Sequence, residues 1–360
     1  IDKDDVDGNP IFIKADTMYV DTTHMWNGEL GRSTIAEDSG IRAKTLHLEF
    51  RDQIESHGYF IGAFWVDIDV GNENYEDAFI LGEYGKVYTR YDNTWVDIDA
   101  EEDVIVDGWV VGGDFDTIQG TLPNGEADVR SMTTRGSWVV IDTPEDFNQG
   151  MTGNVVTDRH QPGNDLLLNV GGDAYIEGRF EVIDEVDKLR MYVTGALTQT
   201  LTSRFRAREH IDIDSEGYLF TDGLIEADND RAWIDIDSQD SLEQGLNGQI
   251  NVDHFVTLDA AQNMKIGGNM LAYGNEAYIQ MRNPGWFNQT GESYLEAQKL
   301  IDIYNLGQQS ITLVDGTTET LIEGEMRGRG PDSHIWIRTP ESLVQTVVSV
   351  LQSEDQITIH

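Results

Sequence analysis

A short phrase recurs six times along this chain of 360 residues, and its spacing constrains the fold more than any other feature. The fullest copy, WVVIDTPEDFNQ, covers residues 138–149, and the copy at residues 278–289 reads YIQMRNPGWFNQ. The copies start about 45 residues apart, at Trp95, Trp138, Leu189, Trp233, Tyr278 and His334. A recurring segment of this size is typical of proteins that stack one supersecondary unit many times. We therefore expect tandem repeats of about 45 residues.

The copies of the phrase begin with an alternation of period two, in which every second residue is apolar. In the copy at Trp95, Val96 and Ile98 share one face, while Asp97 and Asp99 share the other. This alternation predicts a half-buried β-strand, and the proline that often follows ends the strand because it lacks a backbone donor. Glycine-rich bends and Asn or Asp turn pairs between phrases indicate tight turns. The predicted fold class is all-β, with repeated β-hairpin or β-arch modules that form a solenoid or stacked sheets.

At most one or two short helices are expected, and the strongest helical pattern is ESYLEAQKLIDI at residues 292–303. We divide the rest of the chain by composition and pattern. Residues 1–16 are predicted as an N-terminal arm or edge strand, and residues 17–94 as a β-rich N-terminal region. The tandem repeats occupy residues 95–350, and residues 351–360 form a C-terminal strand.

The charge of the chain is extreme, with 66 acidic residues against 24 lysines and arginines and a formal net charge of -42. Such a field repels phosphate groups, so we expect no nucleic-acid partner. No apolar run reaches the roughly 20 residues that a transmembrane helix needs. The chain has no cysteine, which excludes disulfides and thiolate metal sites. The acidity and the start at Ile1 favour a processed extracellular or cell-surface protein, typical of halophilic or archaeal sources.

Paired aspartates are the candidate metal ligands. Asp97 and Asp99 form one pair, Asp235 and Asp237 another, and a strand places both members of each pair on one face. Carboxylate oxygens suit hard cations, so no cofactor is required but calcium or another cation is a candidate ligand. The alternative is an ordinary solvated strand face. If the strands stack, the aspartates form like-charge ladders, which predicts that stability or assembly needs high salt or divalent cations.

The fifth position of the phrase changes sign along the chain and suggests an interface. It is acidic at Asp142 and in two other copies, and it becomes Arg282 and Arg338 in the last two. Head-to-tail pairing between subunits would use this complementarity, and such heterologous contacts produce rings or filaments. Outward aromatic residues such as Trp336 could serve the same interface or bind glycans. Ordinary surface variation and packing within one subunit are the alternatives.

Catalytic motifs are missing from the sequence. The chain has no His-Glu-x-x-His, no Gly-x-Ser-x-Gly and no phosphate-binding loop of the Walker type. The eight histidines are dispersed. We therefore expect that the protein is not an enzyme.

The glycine-spaced segments LLLNVGGDAYIEG (166–178) and MKIGGNMLAYG (264–274) resemble coils of bactofilin-like polymers and of phage tail fibres. The acidic, cysteine-free, β-repetitive chain also resembles archaeal sheath and surface-layer subunits. These resemblances imply an extracellular structural protein whose partner is itself, joined through strand edges into a filament, tube, sheath or lattice. Two alternatives stay open: a viral or phage fibre that binds host glycans, and a polysaccharide-degrading β-helix enzyme.

Overall fold

The predicted all-β class is confirmed. The computed structural model describes residues 12–14, 17–21, 32–35, 40–50, 53–71, 77–89, 94–113, 137–157, 165–183, 188–305, 319–339, 342–346 and 349–360. The protein is a parallel β-solenoid of about 11 turns with 67% of its residues in strands, and these ranges contain no helix. Accordingly, no helix of the described ranges is long and apolar enough to cross a membrane.

The chain divides into two compact units, Ile1–Met191 (unit 1) and Tyr192–His360 (unit 2). Of the predicted N-terminal arm, residues 1–11 lie outside the described residues. The strands that begin in unit 1 are β1 Phe12–Lys14, β2 Thr17–Asp21, β3 Arg32–Ile35, β4 Gly40–Phe50, β5 Gln53–Ser56, β6 Tyr59–Val70, β7 Asp77–Leu81, β8 Lys86–Thr89, β9 Thr94–Ala100, β10 Asp103–Val106, β11 Trp109–Gly112, β12 Ser137–Thr143, β13 Phe147–Gln149, β14 Asn154–Thr157, β15 Asp165–Val170, β16 Ala174–Ile176, β17 Arg179–Val182 and β18 Lys188–Val193.

Unit 2 continues the same pattern of short strands. Its strands are β19 Leu197–Gln199, β20 Arg204–Ala207, β21 His210–Ser215, β22 Leu219–Thr221, β23 Leu224–Ala227, β24 Trp233–Ser238, β25 Leu242–Gln244, β26 Gln249–Val252, β27 Phe255–Ala260, β28 Met264–Ile266, β29 Asn269–Ala272, β30 Tyr278–Asn283, β31 Phe287–Gln289, β32 Tyr294–Ala297, β33 Leu300–Asn305, β34 Glu319–Ile322, β35 Glu325–Gly328, β36 His334–Arg338, β37 Ser342–Gln345, β38 Val350–Gln352 and β39 Gln356–Ile359.

One coil consists of three strands, for example β24, β25 and β26, and each pairs with the corresponding strand of the next coil. These pairings are parallel, so the modules are β-arches rather than hairpins, whose strands would be antiparallel. The first strands of successive coils align His210, Trp233, Phe255, Tyr278 and Leu300 in register. One coil of this stretch therefore takes 22 or 23 residues, and from Trp138 onward the phrase marks every second coil, whereas Trp95 and Trp138 lie on successive coils.

Between Trp233 and Leu300, a buried glutamine distinguishes the coils that carry the phrase from the coil between them. Gln244 is the last residue of β25 and is fully buried. Its Nε2 donates to the backbone oxygens of Gly248 and Asn269. Gln289 repeats this role and donates to the backbone oxygen of Glu325. In the coil between them, Ile266 occupies the same position and only two residues lead to the next strand. The glutamine thus holds the longer corner that is present in every second coil.

The core consists of aliphatic rows that run from coil to coil. Ile234 and Ile236 of β24 are completely buried, and they stack on buried Val256 and Leu258 of β27. The large residue that follows the phrase strand also faces inward, since Phe147, Leu242 and Phe287 are no more than 1% exposed. Burying a side chain of this size contributes roughly 1.5–3 kcal/mol.

The helix predicted at residues 292–303 is wrong. This segment forms β32 and β33, which are separated by a corner at Gln298 and Lys299. Leu295 and Ile301 are buried on Met270 and Ile279 of the preceding coil. The parallel ladder with the neighbouring coil overrides the local helical spacing, because it pairs the backbone and the apolar rows together.

Candidate functional site

The outward face of the first strands aligns acidic side chains into rows. In unit 1 the registers place Asp67 beside Asp97, and Asp69, Asp99 and Asp142 in one row. We call these five residues the unit 1 aspartate ladder. Neighbouring rungs of a sheet lie about 4.8 Å apart. The structure thus brings the predicted pair Asp97 and Asp99 together with three further carboxylates.

Unit 2 has an equivalent arrangement around the second predicted pair. Asp212 aligns with Asp235, and Asp214, Asp237 and Asp259 follow one another in the fifth position. We call these residues the unit 2 aspartate ladder. Its rows place like charges directly opposite each other, an arrangement that destabilises a sheet.

The pKa values of both ladders reflect this crowding. Burial, followed by repulsion from Asp67 and Asp142, raises the pKa of Asp97 to about 6. In unit 2, burial and then repulsion from neighbouring aspartates raise the pKa of both Asp235 and Asp237 to about 6. The carboxyl groups therefore hold protons more tightly than free aspartates, first because they are partly buried and then because neighbouring carboxylates repel them.

Arginines interrupt the acidic row further along unit 2. Arg282 aligns with Asp259, and its Nη1 lies 3.4 Å from Asp259 Oδ2. Arg338 forms an ion pair with the buried Asp302 and stacks 4.6 Å from the centre of the Tyr304 ring. Both arginines of the predicted interface thus have partners within the chain, although their side chains stay 46% and 38% exposed.

The other two residues of the predicted interface lie on the same face of their coils. Asp142 accepts a hydrogen bond from the Asn169 side chain of the next coil. Trp336 is 38% exposed and lies 5.8 Å from the Arg338 guanidinium. Their use between subunits stays a prediction.

Aromatic rings stack along the first position of the same strands. Trp65, Trp95 and Trp138 stack with ring centres 5.8 and 5.5 Å apart. In unit 2, Phe255 and Tyr278 are parallel at 4.9 Å. Rings that stack on one another cover each other's faces, so the row does not offer the flat aromatic platform on which a sugar ring would lie. The glycan-binding alternative therefore gains no support from these stacks.

The described part of the chain contains no group of three or more His, Cys, Asp or Glu side chains arranged to hold a metal ion. The registered rows instead distribute their carboxylates one per coil. Such an arrangement attracts cations along a line rather than enclosing one ion. The calcium prediction for Asp97, Asp99, Asp235 and Asp237 stays a prediction.

A groove at the corner after the first strands was not predicted from the sequence. One cavity of about 540 Å³ lies among Tyr192, Asp214 and Asp237, and a second of about 260 Å³ continues from Asp237 past Asp259 to Asn283. The sixth position of each strand forms part of its lining, as Ser238 and Asn283 do. The sequence shows the sixth position of each strand, but the groove forms between coils, and its lining residues come together only through the register of 22 or 23 residues per coil.

The last strand of unit 2 leaves part of its apolar face uncovered. In β39, Ile357 and Ile359 stack on the fully buried Ile335 and Ile337 of β36. The two outer isoleucines are nevertheless 42% and 47% exposed, because no described strand packs on their other side. Within the described residues, the apolar row that includes Ile335 and Ile337 thus continues to two half-exposed isoleucines.

Comparisons with known proteins identify no relative of this chain. A scan against protein-family models, a search of curated proteins and a search of solved structures find no match.

Proposed function

We propose that this protein is a structural subunit that assembles with copies of itself into an extracellular filament, tube, sheath or surface lattice. The single observation that carries the proposal is the half-exposed apolar row of β39, formed by Ile357 and Ile359. Among the described strands β39 pairs with β36 alone, and its two half-exposed isoleucines would be buried by a further parallel strand.

A second copy fits this edge because it brings the same strand period. Parallel stacking of another coil would cover Ile357 and Ile359 as they themselves cover Ile335 and Ile337. Burial of two half-exposed isoleucines contributes roughly 1 kcal/mol each, and the backbone hydrogen bonds of the added strand supplement this. A contact between β39 of one copy and a different strand of the next copy is heterologous, and it extends without limit unless the rotation closes a ring.

The acidic charge sets the conditions for such assembly. A net charge of -42 makes two copies repel each other strongly at low ionic strength. At about 1 M salt the Debye length falls to about 3 Å, so charges on neighbouring coils are largely screened. We therefore expect that polymers form at high salt and dissociate at low salt.

The test is sedimentation velocity and electron microscopy of the 360-residue chain at low salt and at about 1 M salt. We expect regular polymers of the wild-type chain at high salt. The double variant Ile357→Asp with Ile359→Asp should stay monomeric. The matched control is Thr358→Asp, which places a charge on the same strand at the opposite parity, beside Trp336, and it should still polymerise.

Circular dichroism of each variant checks that the strands are retained. A wild-type chain that stays monomeric at every salt concentration would overturn the proposal. So would a folded double variant that polymerises as well as the control does.

A further inference from the structure

The first and last described strands of the chain belong to the same rows of the solenoid. In the row of first strands, β2 pairs with β4 alone and β39 pairs with β36 alone among the described strands. In the row of third strands, β1 pairs only with β4 and β38 only with β35. Each of these four strands therefore has one described neighbour instead of two.

The order of these strands allows a second copy to continue both rows. The last described strands are a third strand, β38, and then a first strand, β39, and the first described strands are again a third strand, β1, and then a first strand, β2. In a second copy, β1 can therefore follow β38 while β2 follows β39. Since β3 comes after β2 in the chain, one strand position would remain between β3 and β37, and the contact uses two of the three rows.

The register of β2 supplies apolar residues for the two half-exposed isoleucines of β39. Met18 and Val20 pair with buried leucines of β4. At the same positions of its row, β39 has Ile357 and Ile359, which pair with buried isoleucines of β36 and are 42% and 47% exposed. A parallel strand that continues this register places Met18 beside Ile357 and Val20 beside Ile359.

The row of third strands adds a second apolar contact. Ile13 pairs with a buried isoleucine of β4, and Leu351 pairs with a buried methionine of β35. The continuing register therefore places Ile13 beside Leu351. It also places Phe12 beside Val350, which is 43% exposed.

The alternate positions of this contact avoid the like charges of the aspartate ladders. The continuing register combines Lys14 with Gln352, Thr17 with Gln356, Tyr19 with Thr358, and Asp21 with His360. No pair in this series brings two carboxylates together, although the chain carries a net charge of -42. Like charges directly opposite each other destabilise a sheet, so these strands lack the repulsion that neighbouring rungs of the ladders have.

We propose that the second copy binds through its own β1 and β2, which pair in parallel with β38 and β39 of the first copy. This inference rests on the self-assembly proposed above, and it identifies the strands of the partner. Each added copy presents β38 and β39 again, so the contact is heterologous and propagates. A contact of β39 with β39 of another copy would instead be isologous and would stop at a dimer.

Cysteine cross-linking tests this register, because the chain has no cysteine of its own. The double variant Tyr19→Cys with Thr358→Cys places thiols at two positions that the proposed contact brings side by side. Neighbouring strands lie about 4.8 Å apart, and disulfides join Cα atoms about 4.4–6.8 Å apart. We expect oxidation at about 1 M salt to produce a ladder of covalent multimers on a non-reducing gel, which a reductant should abolish.

The matched control combines Tyr19→Cys with Thr257→Cys. Thr257 is also the third residue of a first strand, but its strand β27 already lies between β24 and β30. This control should give no ladder. The single variant Thr358→Cys should give no covalent dimer, and such a dimer would overturn the proposal because it would show that β39 pairs with β39.

Sedimentation velocity of the same samples separates this inference from the proposed function. Polymers at high salt without a disulfide between positions 19 and 358 would leave self-assembly standing and would overturn the assigned strands. A ladder of equal intensity in the Thr257→Cys control would overturn them as well. A wild-type chain that is folded by circular dichroism and monomeric at every salt concentration would overturn both proposals.

Discussion

Replacing Asp237 by asparagine should stabilise the protein near pH 8. Asp237 lies between Asp214 and Asp259 in the registered row, at about 4.8 Å from each neighbouring strand. Two unit charges at this distance repel by about 1 kcal/mol in a medium like water, and by more where they are partly buried. Asp237 is half-buried, and Arg282 already compensates Asp259. We therefore expect a net gain of about 1 kcal/mol after solvent screening.

The pH dependence of this gain identifies its cause. Folding raises the pKa of Asp237 from an ordinary value of 3.8 to about 6, chiefly through burial and then through neighbouring aspartates. The folded state therefore binds this proton more tightly than the unfolded chain, and wild-type stability rises as the pH falls from about 7 toward about 4. At pH 5 the carboxyl is largely protonated in the folded wild type, so the asparagine should give little further gain.

Urea unfolding followed by circular dichroism at pH 8 and pH 5 measures both effects. The matched control is Asp302→Asn, which removes the partner of Arg338 from a side chain that is only 4% exposed. That variant should be less stable than wild type by about 2–3 kcal/mol. The electrostatic reasoning fails if Asp237→Asn destabilises the protein at pH 8 or stabilises it equally at pH 5.

Three further expectations concern the corners and the charge. Gln244→Ala should destabilise unit 2 by about 2–3 kcal/mol in urea unfolding, because it removes two hydrogen bonds and leaves a cavity. The control Gln239→Ala replaces an exposed side chain, and it should change stability by less than about 0.5 kcal/mol. Gly268→Ala should lower the free energy of unfolding by at least about 2 kcal/mol, since a Cβ there would lie 2.0 Å from the Gly248 backbone oxygen. Gly291→Ala should be tolerated, because a Cβ there meets its nearest atom at 3.8 Å. Lowering the salt from about 1 M to a few millimolar should lower the melting temperature by several degrees, and an unchanged melting temperature would remove the like-charge ladder as a determinant of stability.

The strand content of this chain could be predicted because period-2 alternation is a local property. Val96 and Ile98 are buried, and Asp97 and Asp99 face outward, as the pattern indicates. The length of one coil could not be found in the same way, because only alternate coils carry the glutamine corner. The coil that starts at Phe255 has the alternation but lacks the full phrase. From Trp138 onward, the repeat that is easiest to recognise in the sequence is therefore two structural coils long, whereas the copies at Trp95 and Trp138 belong to successive coils.

The candidate site could be predicted from the sequence only in part. The spacing of Asp235 and Asp237 places both on one face of a strand, which is a local inference that the structure bears out. Which residues lie beside them depends on register, and one residue of slip would move every side chain to the other face. Asp214 and Asp259 become neighbours of Asp237 only through the parallel pairing of β21, β24 and β27. The groove depends on that same pairing.

Because the coils stack in parallel and in register, each side chain lies beside side chains of similar type on the coils before and after it. For the isoleucine rows this repetition is favourable, since each side chain buries its neighbours. For the glutamine corners it is also favourable, because each amide donates to the next coil. For the aspartate rows it is unfavourable, and Arg282 offsets the repulsion where it lies beside Asp259. A cost that recurs on successive coils and is left uncompensated at Asp214 and Asp237 is expected where a site serves a purpose other than stability. The repulsion between these carboxylates is the physical reason why the salt concentration should control stability and assembly.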